Sequence, residues 1–331
     1  VNRFVRSTEM TLLAICVVFF VFLVIASNGD LLSANSLRVL LQFLAVPVLI
    51  GLAQMVVLAV GQLNLAVGAI GGFAAVATGV LMADHGVPAP LALLIGFLLA
   101  AAAGLVNGVL VVLTRINGFI VTLATMTILL GVQYRLVGTR TVDAYPQGLK
   151  DFGSSALFGV LPWIFVVALI VAGGLSVLLR RTVPGRQLLA SGGNPIAARL
   201  SGISNDRSVI IAHTLSGAVL GVAAILTVAS SPGVNKSIGG DWLLPSFAAP
   251  IIGGALLTGG SAVVLGTVLA AFIVRFVDTA RAEFSLEPSW VNFVVGTVVL
   301  GSVVLGQVRS RRQQRSTVVK TPDATVAGGA V

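Results

Sequence analysis

The stretch RRTVPGRQLLASGGNPIAARLSGISNDRS, residues 180–208, is the long polar, basic interruption between apolar runs that carries helical patterning of its own. It holds Arg180, Arg181, Arg186, Arg199 and Arg207 against a single acid, Asp206. Apolar Leu188, Leu189, Ile196, Leu200 and Ile203 recur through it, and Gly192-Gly193 and Pro195 punctuate it. This pattern predicts a short helix, a tight turn at Gly192-Gly193-Asn194, and a second short helix with Asn194 as its N-cap and Pro195 in its first turn. A segment that merely joins two apolar runs needs no such pattern. An ordered connector and a docking surface for a soluble partner both remain open readings at this point.

The rest of the chain says what the stretch interrupts. The 331 residues are 57% hydrophobic and 9% charged, and the mean hydropathy is +1.06. A soluble domain carries about 25% charged residues, so this chain has too few to cover a surface facing water. The reading is all-α, a polytopic integral membrane protein. The 38 glycines suit close helix packing in a bilayer. A net charge of +9 would suggest nucleic acid in a soluble protein. Here the loops of a membrane protein account for it, and no nucleic-acid partner is expected. The lone Cys16 can form no intramolecular disulfide, and His85 and His213 lie far apart, so no metal site is expected.

A helix needs about 20 residues to cross the hydrocarbon core. That ruler gives about ten transmembrane helices: Met10–Ala26, Val39–Val60, Leu63–Ala83, Leu91–Leu113, Phe119–Val137, Leu157–Leu179, Val209–Ala229, Leu243–Leu257, Ala262–Asp278 and Trp290–Val308. The first is read as a retained span rather than a signal peptide, because no A-x-A site follows it. The eighth is short and broken by Pro245, Pro250, Gly253 and Gly254.

With both termini cytoplasmic, most of the 20 Lys and Arg fall inside: Arg3, Arg6, Arg115, the five arginines of residues 180–208, then Arg309, Arg311, Arg312, Arg315 and Lys320. Asp30, Asp84, Asp143, Asp151, Asp241, Asp278, Glu283 and Glu287 fall on the other side or at the outer span ends. Residues 1–308 therefore read as one membrane domain. Residues 309–331 read as a cytoplasmic tail, basic at the membrane border against the lipid bilayer and disordered beyond about Ser316.

The span interiors hold almost no ionisable residues, which disfavours carriers that need a buried charge. There is no phosphate loop, nucleophile elbow, H-E-x-x-H or paired intramembrane acid, so the chain has nothing to run enzyme chemistry with. Arg275 and Asp278, three apart near a span end, are read as a structural border pair. What the interior does hold is uncharged polar groups at Gly-rich places: Gln62, Asn64, Asn107, Thr122, Thr125 and Thr127. Such groups hydrogen-bond hydroxylated solutes or join helices to each other, and both uses stay open. Short Gly/Pro-interrupted segments mark pathways in transporters, and Gly61–Gly72 and Pro245–Gly260 are of that kind.

Four spaced motifs then resemble a known family. Gly61-Gln62-Leu63-Asn64-Leu65-Ala66-Val67-Gly68 is similar to the G-x-x-D-L-S-V-G signature of sugar permeases from bacterial ABC importers, the ribose/xylose/arabinose class. Asn107-Gly108 and Phe119-Ile120-Val121-Thr122-Leu123 resemble that family's next motifs. Gly185 through Ile203 resembles its cytoplasmic coupling loop, and Ile252-Gly253-Gly254, Leu257, Gly259-Gly260 and Gly266-Thr267 its late Gly-rich motif. The likeness covers about residues 40–305. Asn64 stands where Asp is usual, Ala66 where Ser is usual, Gly118 where Pro is common and Ala262 where Gly is usual.

The resemblance implies a permease subunit in a bacterial inner membrane, importing a monosaccharide, with the ATP and Mg used by a separate ATPase subunit and no cofactor bound by this chain. It implies three protein partners: that ATPase, an extracytoplasmic solute-binding protein and a second permease copy. Coupling to the ATPase would run through Gly192, Gly193, Asn194, Pro195, Ala197, Ala198, Arg199, Ser201 and Gly202. Gln62, Asn64, Asn107, Phe119, Thr122 and Thr125 would line the translocation pathway. The related branched-chain amino-acid permeases share the fold, nucleoside and signalling-sugar permeases share much of the motif set, and an ion-coupled secondary carrier is the alternative class.

Overall fold

The computed structural model describes residues 2–143 and 145–284, together with 287, 293, 296 and 297, with residues 2–8 as backbone only. The described chain is mostly helical. In order it forms α1 (Asn2–Ala26), a 3₁₀ turn at Asp30–Leu32, α2 (Ala34–Ala59), α3 (Val67–Ala83), α4 (Ala89–Thr114) and α5 (Gly118–Val137). There follow α6 (Gln147–Ser154), a hairpin of β1 (Ala156–Leu157) and β2 (Leu161–Pro162), α7 (Trp163–Arg181), α8 (Val183–Gly193), α9 (Pro195–Leu200), α10 (Asn205–Ser230), α11 (Leu243–Ile252) and α12 (Val264–Glu283). Among the described residues six helices are long and apolar enough to cross a bilayer, and Val67–Ala83 and Leu243–Ile252 are shorter apolar helices.

Nine of the expected spans coincide with a helix, and the differences are instructive. The third span becomes helical only at Val67, because residues 61–66 run as irregular backbone. Leu157 belongs to the hairpin rather than to the sixth span, whose helix starts at Trp163 behind Pro162. That two-residue hairpin and the extramembrane helix α6 are features an all-α span count does not predict. The eighth span is helical for 10 residues, to Ile252. Trp290–Val308 and the tail 309–331 lie outside the described residues, except for Phe293, Gly296 and Thr297.

The centre of the bundle is α2, buried continuously from Val48 to Ala59. Around it pack α10, α11, α12, α7 and α3. In a bilayer, lipid tails are as apolar as leucine, so close backbone approach has to hold helices together. The seam between α4 and α10 is built that way. A Cβ on Gly104 would lie 3.0 Å from the Gly217 Cα, one on Gly221 3.0 Å from the Phe97 Cα, and one on Gly108 2.8 Å from the Ile210 Cα. The glycines of α3 serve a different purpose. Gly68, Gly71 and Gly72 leave room for the backbone of Ile238 and Gly239 and for the Trp242 ring, so the loop before α11 lies directly on α3. A smaller cluster, Cys16, Leu23, Leu31, Leu40 and Phe276, seats α1 against α12.

Helix directions alternate, so the bundle has two ends. One carries the starts of α1, α3, α5 and α10, the ends of α2, α4 and α7, and all of α8 and α9. This is the arginine-rich end, where Arg180 approaches Glu9 at 3.6 Å and Arg115 approaches Asp206 at 3.7 Å. The opposite end carries Asp84, Arg140, Tyr145, α6 and the hairpin.

Candidate functional site

The irregular backbone between α2 and α3 leaves peptide groups that a helix would have paired, and inside a bilayer each must find a partner. Three side chains supply them. The Gln54 carboxamide, oriented to satisfy both of its neighbours, donates to the Asn64 carbonyl at 2.9 Å and accepts from the Asn64 N–H at 3.3 Å. Asn64 Oδ1 accepts from the Ala66 N–H at 2.9 Å. Thr122 Oγ1, on α5, accepts from the Leu65 N–H at 3.1 Å and donates to the Gly118 carbonyl at 2.7 Å. Gln54, Asn64 and Thr122 are all fully buried. Asn64 and Thr122 thus hold the break in shape, and Asn64 Nδ2 reaches Ser216 on α10 at 3.5 Å.

The segment expected to form a helix, a turn and a helix does so. Thr182 caps α8, its hydroxyl accepting from the Gly185 N–H at 3.3 Å. The helix runs through Gly192-Gly193, so the turn narrows to Asn194 alone. Asn194 caps α9, its Oδ1 accepting from the Ala197 N–H at 3.0 Å. At the far end of α9 the Ile203 N–H closes back on the Ala198 carbonyl at 2.9 Å, with Gly202 at φ +80°. Asn205, which the sequence reading did not single out, ties the three pieces together. Its Nδ2 donates to the Pro195 carbonyl at 2.9 Å, and its Oδ1 accepts from Ser191 Oγ at 3.0 Å. On α9, Ala198 faces inward, whereas Ile196 and Leu200 are 76% and 86% exposed. Two exposed aliphatics four residues apart, flanked by Arg199, make an apolar ridge on the surface rather than a core face.

Gly192 and Gly193 connect this segment to the transmembrane bundle. The Gly260 N–H donates to the Ala59 carbonyl at 2.9 Å, and Gly192 sits against both residues. A Cβ on Gly259 would lie 2.7 Å from the Gly61 nitrogen and 2.8 Å from the Gly192 carbonyl oxygen. Gly61, Gly259 and Gly260 all have positive φ, at +71°, +90° and +78°. The two interrupted regions of the sequence therefore meet each other and the end of α8 through bare backbone.

The remaining pathway candidates scatter. Gln62 lies over Gly118 at the start of α5, and its carboxamide makes no hydrogen bond among the described residues. Thr125 returns its hydroxyl to the Val121 carbonyl at 3.0 Å, and Phe119 is exposed on the outer face of α5. Asn107 and His213 are fully buried in the α4–α10 region, and their side-chain polar atoms have no hydrogen-bond partner among the described residues. Gln133, another residue not singled out from sequence, donates to the carbonyls of Lys236 and Ile238 at 3.2 and 3.0 Å and clasps the loop that lies on α3. Arg275 and Asp278 do pair, Arg281 joins them at 3.3 Å, and the Arg275 guanidinium lies 4.9 Å from the Phe43 ring centroid. Among the described residues no three His, Cys, Asp or Glu side chains come together as a metal site would need.

At the arginine-rich end a cavity of about 370 Å³ opens between the α2–α3 break, the α4–α5 turn and the start of α10. Gln62, Arg115, Asn117 and Asp206 are its polar lining. At the opposite end, two loops are pinned. The Tyr145 hydroxyl donates to the Val142 carbonyl at 2.7 Å and accepts from the Val234 N–H at 3.0 Å, and burial pushes this phenol up to about 12. Hydrogen bonds from Arg140 hold the Asp84 carboxyl below its usual range.

These features define a polytopic helical membrane protein in which two broken spans meet a capped, extramembrane helical segment. The chain belongs to the family described as the branched-chain amino acid transport system / permease component, matched over residues 36–303. It is a multi-pass protein of the bacterial cell membrane. It is 31% identical over 307 residues to the autoinducer 2 import system permease protein LsrC of Enterobacter sp. (strain 638), covering 92% of this chain and 88% of that one. To the protein of the same name from Klebsiella pneumoniae subsp. pneumoniae it is 32% identical over 316 residues, covering 94% and 90%. To that of Salmonella typhi it is 28% identical over 331 residues, covering 97% and 94%. No solved structure matches the chain.

Proposed function

We propose that the chain is the permease subunit of an ATP-driven ABC importer that moves a neutral, hydroxylated, monosaccharide-like solute inward. The observation that carries this reading is the α8–α9 segment. It stands outside the membrane spans, presents Ile196 and Leu200, and is joined by backbone contacts to both broken spans. That arrangement suits a subunit that receives force from outside the membrane and passes it to a pathway. The relatives named as import-system permeases support the direction, and the name of their solute, autoinducer 2, supports a small polar cargo. In this reading the membrane domain, residues 1–308, has ten spans with both termini cytoplasmic, and 309–331 is a cytoplasmic tail. The ATPase subunit holds ATP and Mg and docks on residues 192–202, a second permease copy completes the pathway, and an extracytoplasmic binding protein delivers solute.

The family description favours one further reading, a branched-chain amino acid as cargo. One experiment addresses both. The tagged chain is purified from its host in mild detergent, and co-eluting chains, ATPase activity and the binding protein's ligand are determined. A co-eluting ATPase, with a binding protein that takes pentoses or hexoses, is the expected result. A binding protein that takes leucine or valine moves the cargo to amino acids. Uptake that persists in ATP-depleted vesicles and follows an ion gradient sinks the importer reading in favour of a secondary carrier.

A further inference from the structure

The 370 Å³ cavity at the arginine-rich end has two walls, and both are mechanically tied to α8–α9. One wall is the α2–α3 break with Gln62, beside Leu257. Its backbone joins the Gly192–Gly193 end of α8 through Gly61, Gly259 and Gly260. The other wall is the α4–α5 turn with Val111, Arg115 and Asn117, facing Asp206 in the first turn of α10. Asp206 sits immediately after Asn205, whose carboxamide is bonded to both α8 and α9. A displacement of α9 therefore reaches both sides of the cavity.

Two residues of the lining, Arg115 and Asp206, form an ion pair at 3.7 Å. Arg115 is the C-cap of α4 with φ +59°, a left-handed conformation that is costly for a residue with a Cβ. The pair is loose and exposed, with side chains 74% and 48% accessible, so it is weakly held and readily parted. A second cavity of about 240 Å³, lined by Arg115, Arg199, Ser204 and Asp206, lies on its other side, toward α9. Inside the first cavity the Gln62 carboxamide makes no hydrogen bond among the described residues, and the two charged groups of the lining, Arg115 and Asp206, are paired with each other. With those two charges facing each other, the Gln62 carboxamide is left to meet the hydroxyls of a neutral polyol.

We propose that this cavity is a solute station at the arginine-rich end of the pathway, and that Arg115–Asp206 is its latch, parted when α9 is moved. The inference rests on the importer reading for its biological role, but its geometry can be tested separately. Leu257 borders the cavity and the chain has one cysteine. Leu257→Cys in a Cys16→Ser background, held in nanodiscs, is labelled with a charged methanethiosulfonate reagent. Asp206→Asn and Arg115→Gln should each raise the labelling rate about two- to fivefold, the population change that an exposed ion pair commands. The swap Arg115→Asp with Asp206→Arg should return it toward the parent rate. Labelling that is unchanged in both single variants overturns the latch. Labelling should also slow in D-ribose, D-xylose or D-arabinose at high millimolar concentration and not in leucine; no protection by any of the three sugars, or protection by leucine, overturns the station. ATP-driven uptake by the purified complex is scored in parallel. Its absence removes the importer reading and leaves the labelling to decide the latch.

Discussion

The amide of Gly260 donates to the carbonyl of Ala59 at 2.9 Å, joining residues 201 positions apart through backbone alone. Ala59 ends α2, and Gly260 lies in the glycine-rich loop between α11 and α12. Gly192, the penultimate residue of α8, is packed against both. Side chains between these segments would let each shift rotamers independently. Bare backbone leaves little slack, because close-packed contacts transmit displacement rather than absorb it.

This junction distinguishes two adjacent glycines. A Cβ on Gly192 would collide with the Ala59 carbonyl and stand 2.7 Å from the Gly260 nitrogen, whereas one on Gly193 meets its nearest neighbour, the Gly260 Cα, at 3.5 Å. Gly192→Ala should destabilise the protein by about 1–3 kcal/mol, the usual cost of overpacking where backbone must yield. Gly193→Ala should leave thermal unfolding in detergent nearly unchanged. Equal melting temperatures for the two variants would contradict the packing at this junction.

On α9 the contrast is between cap and ridge. Asn194→Ala removes the acceptor of the Ala197 N–H and should weaken α9 by about 1 kcal/mol, seen as faster hydrogen exchange in residues 197–201 with little change in global melting. Asn194→Ser should restore most of the protection. Ile196 and Leu200 are mostly exposed, so with Ile196→Asp or Leu200→Asp melting should hold while co-purification of the ATPase falls. Retention of the ATPase by both variants would remove the ridge as a docking surface.

Much of the outline was legible because it is written in side chains. Apolar runs of helix length, the Asn194 cap before Pro195, and the arginines of residues 180–208 each carry their own pattern. The junction of Gly61, Gly192 and Gly259 was not legible as a contact, since glycine leaves no side-chain pattern to pair across 131 residues of separation between the first two. The Gly-rich character marked each region as special without saying that they meet. Asn64 and Thr122 were recognised as polar groups in the membrane, but their engagement with backbone appears only once the start of α3 is known. Gln54 had a usable signal, a lone carboxamide within an unbroken apolar run, one and a half turns before Ala59. Asn205 resembled an ordinary helix-start residue and offered no such signal.

The commitment of those three side chains to the break predicts their substitution costs. Gln54→Leu keeps the volume but strands the Asn64 N–H and carbonyl in an apolar interior, at about 1–3 kcal/mol. Thr122→Val strands the Leu65 N–H and should cost a similar amount, while Thr122→Ser should be mild. If Asn64 instead served chiefly as a solute ligand, Asn64→Ala would lower transport while leaving melting alone. The geometry predicts the reverse emphasis, with melting falling first, because Asn64 Oδ1 is already occupied by the Ala66 amide.

The opposite end of the bundle should show its own pH dependence, and the direction follows from the shift at Asp84. Arg140 lowers the folded-state pKa of this carboxyl below its unfolded value, with the hydrogen bond as the leading cause. The stabilisation is therefore present above the unfolded pKa and is lost as pH falls through the folded one. Asp84→Asn should be slightly less stable than the parent at neutral pH, and the difference should close as the medium is taken below about pH 4, where an ordinary aspartate takes up its proton. The effect is small because the pair is partly open to water. Tyr145 behaves in the opposite sense. Its pKa, raised to about 12 by burial, means that the folded state favours the neutral phenol, so its contribution persists below the unfolded value and fades as pH rises toward 12. Tyr145→Phe removes the donor to Val142 and one acceptor for the Val234 N–H, but the Val142–Val234 pair of backbone bonds at 2.8 Å survives. A loss of about 1 kcal/mol at neutral pH is expected, vanishing in strong alkali. Melting curves of the parent and both variants from acid to alkali check both signs, and a gap for Asp84→Asn that widens in acid would contradict the Arg140 contact.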